Sequence, residues 1–150
     1  MSGHESGSRV VHLRRDGTSL VLRLDAQALP CVLHWGPDLG DRSADELEGL
    51  VLALRSPPSD SAVLTQEAVS LLPQHSTGWI GRPGLLGSRD GRAWSVAFDE
   101  VSHHIEDGTG VVSIGTDAAT ELEVATELRL LAGGLVAVRA TVTNLSLIHI

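Results

Sequence analysis

The sequence predicts an all-β fold, a β-sandwich with one short helix. Three observations lead there. Apolar residues alternate in twos along most of the chain. Gly, Pro and Asp punctuate the alternating runs, and only one segment changes to a helical period. The hydrophobic fraction of 42% fits a folded globular protein. A length of 150 residues suffices for one domain with its own core.

Residues 1–8 are polar and rich in Gly and Ser, and are expected to be a disordered start without the apolar stretch of a signal peptide. The sandwich is expected over residues 9–144. Val11 and Leu13 share a strand face, and Asp16-Gly17 reads as a two-residue turn. Leu20, Leu22 and Leu24 then share the face opposite Ser19, Val21 and Arg23, completing a hairpin. A third strand follows the break at Pro30 and runs from Cys31 to Trp35, with Cys31, Leu33 and Trp35 on one face. Ser43 and Glu46 have capping-box spacing, and Leu47, Leu50, Val51 and Leu54 recur helically. A helix is therefore predicted over 44–55, stopped by Pro57-Pro58.

Residues 56–91 are rich in Pro, Gly and Ser, and a loop this long in a compact domain is usually functional or mobile. Alternation resumes with Trp94, Val96 and Phe98, which places Trp94 in the expected core, and continues with Val101, His103 and Ile105. Leu122, Val124, Leu128 and Leu130 face one way, with Glu121, Glu123, Glu127 and Arg129 on the polar side. Gly133-Gly134 reads as a two-residue hairpin turn into Val136, Val138, Ala140 and Val142. That last strand reads as one in mid-sheet, so the sandwich is expected to be truncated. The final hexapeptide, Leu145 to Ile150, is apolar and coincides with one reading frame of a common transposon-end sequencing adapter. Residues 145–150 are accordingly expected to be a non-native tail, the alternative being a natural edge strand.

Composition excludes several classes of function. With 11 basic and 19 acidic residues the net charge is -8, and the scattered arginines form no stripe for nucleic acid. No segment approaches the ~20 apolar residues that span a bilayer, so a cytoplasmic protein with no membrane partner is expected. Cys31, the only cysteine, sits in an apolar run and reads as a buried, inert thiol. The seven histidines show no metal-ligand spacing, and His103 and His104, adjacent on a strand, point to opposite faces. No metal and no cofactor is expected. Asp45, Glu46 and Glu48 suit the first turns of a helix, and the glutamates of 121–127 suit a solvated strand face. No catalytic carboxylate is expected among them. Trp79 and Arg82, close together in the long loop, pair a ring platform with a multi-donor cation, a combination suited to a sugar and its hydroxyls; loop packing is the plain alternative for Trp79.

Residues His12 to Trp94 resemble the amino-terminal domain of glycoside hydrolase family 36 α-galactosidases. The resemblance rests on Leu33-His34-Trp35-Gly36-Pro37-Asp38-Leu39-Gly40-Asp41, on Leu71-Leu72-Pro73, on Gly78-Trp79-Ile80-Gly81-Arg82-Pro83-Gly84-Leu85, and on Trp94-Ser95. It implies a supersandwich-type β-domain that precedes a (β/α)₈ barrel bearing two catalytic aspartates, and no such barrel is present in this sequence. It also implies a homo-oligomer in which the long loop, here Arg55 through Arg82, reaches a neighbouring active site that takes an α-galactoside substrate. Asp60 and Glu67 are the acids of that loop, and neither matches the family's sugar-contacting acid. Arg82, inside the matching string, is the best candidate for a substrate contact, with Trp79 beside it. The rival readings are a free-standing sugar-binding β-sandwich module, with Trp79 as platform, and a non-enzymatic structural sandwich.

Overall fold

The computed structural model describes residues 8–54, 69–88 and 91–146. Most of the expected disordered start, residues 55–68 of the long loop with Asp60 and Glu67, and the end of the tail lie outside the described residues. Two antiparallel sheets form an all-β sandwich. The first contains β1 (Arg9–Arg15), β2 (Thr18–Asp25) and β3 (Ala28–Pro37) in that order. The second contains β4 (Glu100–Glu106), β5 (Gly110–Asp117), β6 (Leu122–Leu130) and β7 (Val136–Asn144), again in order. One helix, α1 (Ala44–Leu54), follows β3.

The β1–β2 hairpin turns as its sequence requires. Asp16 and Gly17 both have positive φ, 48° and 75°, which is the type I′ geometry that suits the twist of the flanking strands. Val11 pairs with Leu22 and Leu13 with Leu20, so all four share one face, and that face is buried. Ser19 and Val21 lie on the other face and are also fully buried. The chain after β3 covers them: the Leu39 N–H donates to Ser19 Oγ at 2.9 Å, and α1 packs against β1 with Leu47 and Val51 buried. The predicted capping box is in place, with Ser43 N–H donating to Glu46 Oε2 at 2.8 Å and Glu46 N–H to Ser43 Oγ at 3.3 Å.

The third strand departs from expectation. It begins at Ala28 and carries Pro30 inside it, where the proline carbonyl accepts the Leu71 N–H at 2.9 Å. The β2–β3 register passes from Val21↔His34 directly to Leu22↔Val32, so Leu33 is an extra, bulged residue. Cys31 therefore pairs with Arg23 and Trp35 with Leu20, on opposite faces of the sheet. Cys31, Leu33 and Trp35 do not share a face, although Cys31 is buried as expected.

The second sheet follows its alternation. Val124, Thr126, Leu128 and Leu130 of β6 are buried, and Val101, His103 and Ile105 lie on the inner side of β4. The β6–β7 connection is longer than two residues: Leu131 to Leu135 loop out, the Leu131 N–H donates to the Leu135 carbonyl, and Gly133 and Gly134 take φ of 73° and 79°. Trp94 is 65% exposed and outside any strand, and residues 95–99 form no ladder; only Val96 and Phe98 of that trio are core. In β7, Val138 and Val142 pair with Leu128 and Val124 and so face inward. They remain 51% and 44% exposed, since the three-stranded sheet opposite leaves the fourth strand uncovered.

Candidate functional site

The two longest strings that carry the resemblance have different jobs. In the first, Asp38 is a structural hub. Its Oδ1 accepts from Arg14 Nε at 2.8 Å, Ser19 Oγ at 2.9 Å and the Gly40 N–H at 3.1 Å, while Oδ2 takes Arg14 NH2 at 2.7 Å. The Arg14 bond is the largest of the effects that hold the Asp38 carboxyl well below the usual carboxylate range. Trp35 donates its indole N–H to the Gly134 carbonyl at 2.9 Å, joining the first sheet to the β6–β7 loop. The Gly133 N–H donates to Asp16 Oδ2 and Arg15 to the Leu130 carbonyl at the same end. Gly134 packs so closely on Thr18 that a Cβ has no room there.

This hub also brings together His12, Ser19 and Asp38, a trio the sequence reading did not single out because the residues are far apart in the chain. His12 Nε2 lies 2.8 Å from Ser19 Oγ. The order of bonds rules out a nucleophile–base relay, in which the imidazole must sit between hydroxyl and carboxylate. Here Ser19 sits in the middle and donates to Asp38, so His12 Nε2–H must be the donor toward Ser19. Burial is the main cause that lowers the His12 pKa, and Ser19 has no exposed surface. The trio braces the sheet rather than performing chemistry.

The second string forms a folded loop. Gly78, with φ of 83°, closes a 3-10 turn at His75–Thr77, and His75 Nδ1 bonds the Trp79 carbonyl at 2.8 Å. The Trp79 indole N–H donates to the main-chain carbonyl of Arg82 at 2.9 Å. Its ring lies on Gly81 so tightly that a Cβ there falls 2.8 Å from the indole. Gly84 N–H donates to the Pro73 carbonyl at 2.7 Å, and its Cα lies against the Leu72 backbone. Gly81 and Gly84 are there for close approach, and Gly78 for its positive φ.

Trp79 and Arg82 thus come together as expected, but through the arginine's backbone. The indole N–H is committed within the loop, so Trp79 offers a ring surface and no donor. The Arg82 guanidinium is exposed and bonds no described residue, which leaves its donors available for hydroxyls or a carboxylate. Ile80 beside them is 82% exposed. A small cavity beneath the loop, lined by Leu29, Ser70, Leu72, Gln74, Thr77 and Phe98 among others, has a volume of about 20 Å³. That is room for about one water and not for a sugar ring. This cavity therefore takes no sugar ring.

Among the described residues no group of three or more His, Cys, Asp or Glu converges as a metal site. No described helix is long and apolar enough to cross a membrane. No curated protein and no solved structure matches the chain. The glycosyl hydrolase family 36 N-terminal domain matches residues 28–148, a span that contains Asp38 but not its partners Arg14 and Ser19, the whole described loop and the first residues of the suspected tail. With most of its length inside that match, the chain belongs to the N-terminal domain family of glycosyl hydrolase family 36.

Proposed function

We propose that this domain is the non-catalytic amino-terminal part of a cytoplasmic, homo-oligomeric α-galactosidase that hydrolyses terminal α-galactosides. In this reading the Trp79–Arg82 loop forms part of the rim of an active site built by the catalytic barrel. The observation that carries it is the loop itself: a turn, pinned by internal hydrogen bonds and close glycine contacts, that sets a half-buried ring beside an exposed guanidinium with no described partner, within the family match. Guanidinium donors and an aromatic ring together suit a sugar's hydroxyls and its apolar face.

Substitution of Arg82 by Ala in the full-length enzyme is expected to raise KM or lower kcat/KM for α-galactosides by roughly tenfold, about one good charged hydrogen bond. The fold is expected to stay intact, because the side chain supports nothing else described. Unchanged kinetics across several galactosides would remove the loop from the substrate path.

The 150-residue chain alone is expected to release no nitrophenol from a nitrophenyl α-galactoside. Retaining glycosidases place two carboxyl groups about 5–5.5 Å apart around the scissile bond. Among the described carboxylates, Asp38, Glu46 and Asp117 are committed to structural partners. Turnover abolished by changing one acid of this chain would overturn the assignment. Binding of free galactose by the chain, lost on Trp79→Ala, would favour the module reading instead.

A further inference from the structure

The sandwich core is divided in two. One hydrophobic cluster contains Val11, Leu13, Leu20, Leu22, Leu24, Val111, Leu128 and Leu130. The other contains Leu29, Val96, Phe98, Val101 and Val124, with Leu72 and Leu85 packed on it from the chain segments that bracket the Trp79–Arg82 loop. The register of the second sheet shows what separates them. His103 of β4 pairs with Ser113 of β5, and Ser113 pairs with Thr126 of β6. These three inward-facing polar residues form a row across the sheet. Ile105, Val111 and Leu128 lie on one side of the row; Val101, Gly115 and Val124 lie on the other.

His103 also joins the two sheets. Its Nε2 lies 2.8 Å from the Asp25 carbonyl at the end of β2, and its Nδ1 lies 2.8 Å from Ser113 Oγ. A carbonyl only accepts, so Nε2 carries the proton. Nδ1 then holds the lone pair and accepts from the Ser113 hydroxyl. The next link along the same turn is the Val101 N–H to the Ala26 carbonyl at 2.8 Å.

We propose that the His103–Ser113–Thr126 row is a proton-sensitive belt that ties the two core halves and the two sheets together while His103 is neutral. Protonated, the ring has donors at both nitrogens. Ser113, which has no exposed surface, must then accept instead of donate and lose its own acceptor inside the core. The charge also falls on a half-buried ring. Arg9 of β1 faces it and opposes protonation, while the Asp25 carboxylate of β2 faces it and favours it. On β5 and β6 the register neighbours, Ser113 and Thr126, do not titrate. Burial is the largest influence, and the folded-state pKa is lowered. The unfolded chain therefore binds more protons below about pH 6.5, so the stabilisation is complete above that pH and is lost as pH falls toward the folded value. The Val101–Ala26 link beside the row belongs to the half on which the loop is anchored, and that is the half expected to loosen.

The test compares urea unfolding of the chain and of its His103→Gln variant at pH 7.5 and 5.5, with the His103 ring titrated by NMR in the wild type. Glutamine keeps a donor for the Asp25 carbonyl and cannot titrate. His12 titrates in both proteins and cancels. The wild type is expected to lose more stability on acidification than the variant. Protection of the Val101 amide against exchange is expected to fall while that of Leu130, in the other half, holds. Equal pH dependence of the two proteins, or a His103 ring that titrates at or above the free value, would overturn the belt; the NMR arm decides even if the variant does not fold. The result is independent of whether the loop binds sugar.

Discussion

Replacement of Leu22 by Ala is expected to lower the unfolding free energy by about 2–5 kcal/mol, the cost of deleting a fully enclosed leucine and leaving a cavity. Leu22 lies in β2, the central strand of the three-stranded sheet, has no exposed surface, and belongs to the larger cluster, which both sheets build. Domains of this kind are stable by only about 5–15 kcal/mol, so the loss is a large share of the total. At ~2–4 °C per kcal/mol, the fall in Tm is roughly 4–20 °C. Leu52→Ala is the control: Leu52 is 64% exposed on α1, and its replacement is expected to stay within about 0.5 kcal/mol. Calorimetry of the two variants side by side checks the claim. Equal melting temperatures would mean that the two sheets do not share the core described.

The part of the fold legible in the sequence is the part fixed by local rules. Asp16-Gly17 is a two-residue turn because few other residues tolerate positive φ at both positions, and the structure has both. Ser43 and Glu46 cap α1 through bonds within one turn of chain. The faces of β2, β4 and β6 follow from strict alternation. What was not legible depends on pairing partners. The bulge at Leu33 exists only relative to β2, and it reverses the face of Trp35 with no mark in the sequence. Trp94, Val96 and Phe98 have the spacing of a strand, yet nothing supplies a ladder there. Asp117 accepts the Ala97 N–H from the end of β5 instead. Gly133-Gly134 resembles a tight turn, but the Leu131–Leu135 closure makes a longer loop.

The candidate site was legible in its members and not in its construction. Trp79 and Arg82 are three residues apart, so their proximity was within reach of sequence reasoning. That the indole N–H is spent on the Arg82 carbonyl was not, because main-chain acceptors carry no sequence signature. The same limit hid the Asp38 hub, whose partners Arg14 and Ser19 lie 24 and 19 residues away. The string around Trp35 and Asp38 thus marks architecture, and the string around Trp79 and Arg82 is the one that the proposed function sets at the rim of an active site.

Replacement of Asp117 by Ala is expected to cost about 2–4 kcal/mol, and to reach the candidate loop. Asp117 is 4% exposed. Its Oδ2 accepts the Ala97 N–H at 2.9 Å, and its Oδ1 accepts those of Ala119 at 2.9 Å and Thr120 at 3.3 Å. Each buried donor left without a partner costs about 1–3 kcal/mol. Ala119 is exposed and can turn to water; Ala97 and Thr120 are the costly pair. Burial alone raises the Asp117 pKa, but the bonds from Ala97, Thr120 and Ala119 outweigh it and the net shift is downward. A depressed carboxylate stabilises the fold above its unfolded pKa, so this contribution is lost as pH falls below about 4. Asp117→Asn should remove that acid-limb dependence while keeping one acceptor, and so cost less than Ala. The connection to the loop runs through residues 95–99. Val96 and Phe98 sit in the smaller cluster on which Leu72 and Leu85 pack, and Ser76 Oγ donates to the Val96 carbonyl at 2.6 Å. With Ala97 released, the support beneath Trp79 loosens. Amide exchange at Gly78, Trp79 and Gly84 is expected to speed up in Asp117→Ala while Leu22 and Leu128 in the other half stay protected. Uniform loss of protection across both halves would instead show that the sandwich unfolds as one unit and that Asp117 has no special hold on the loop.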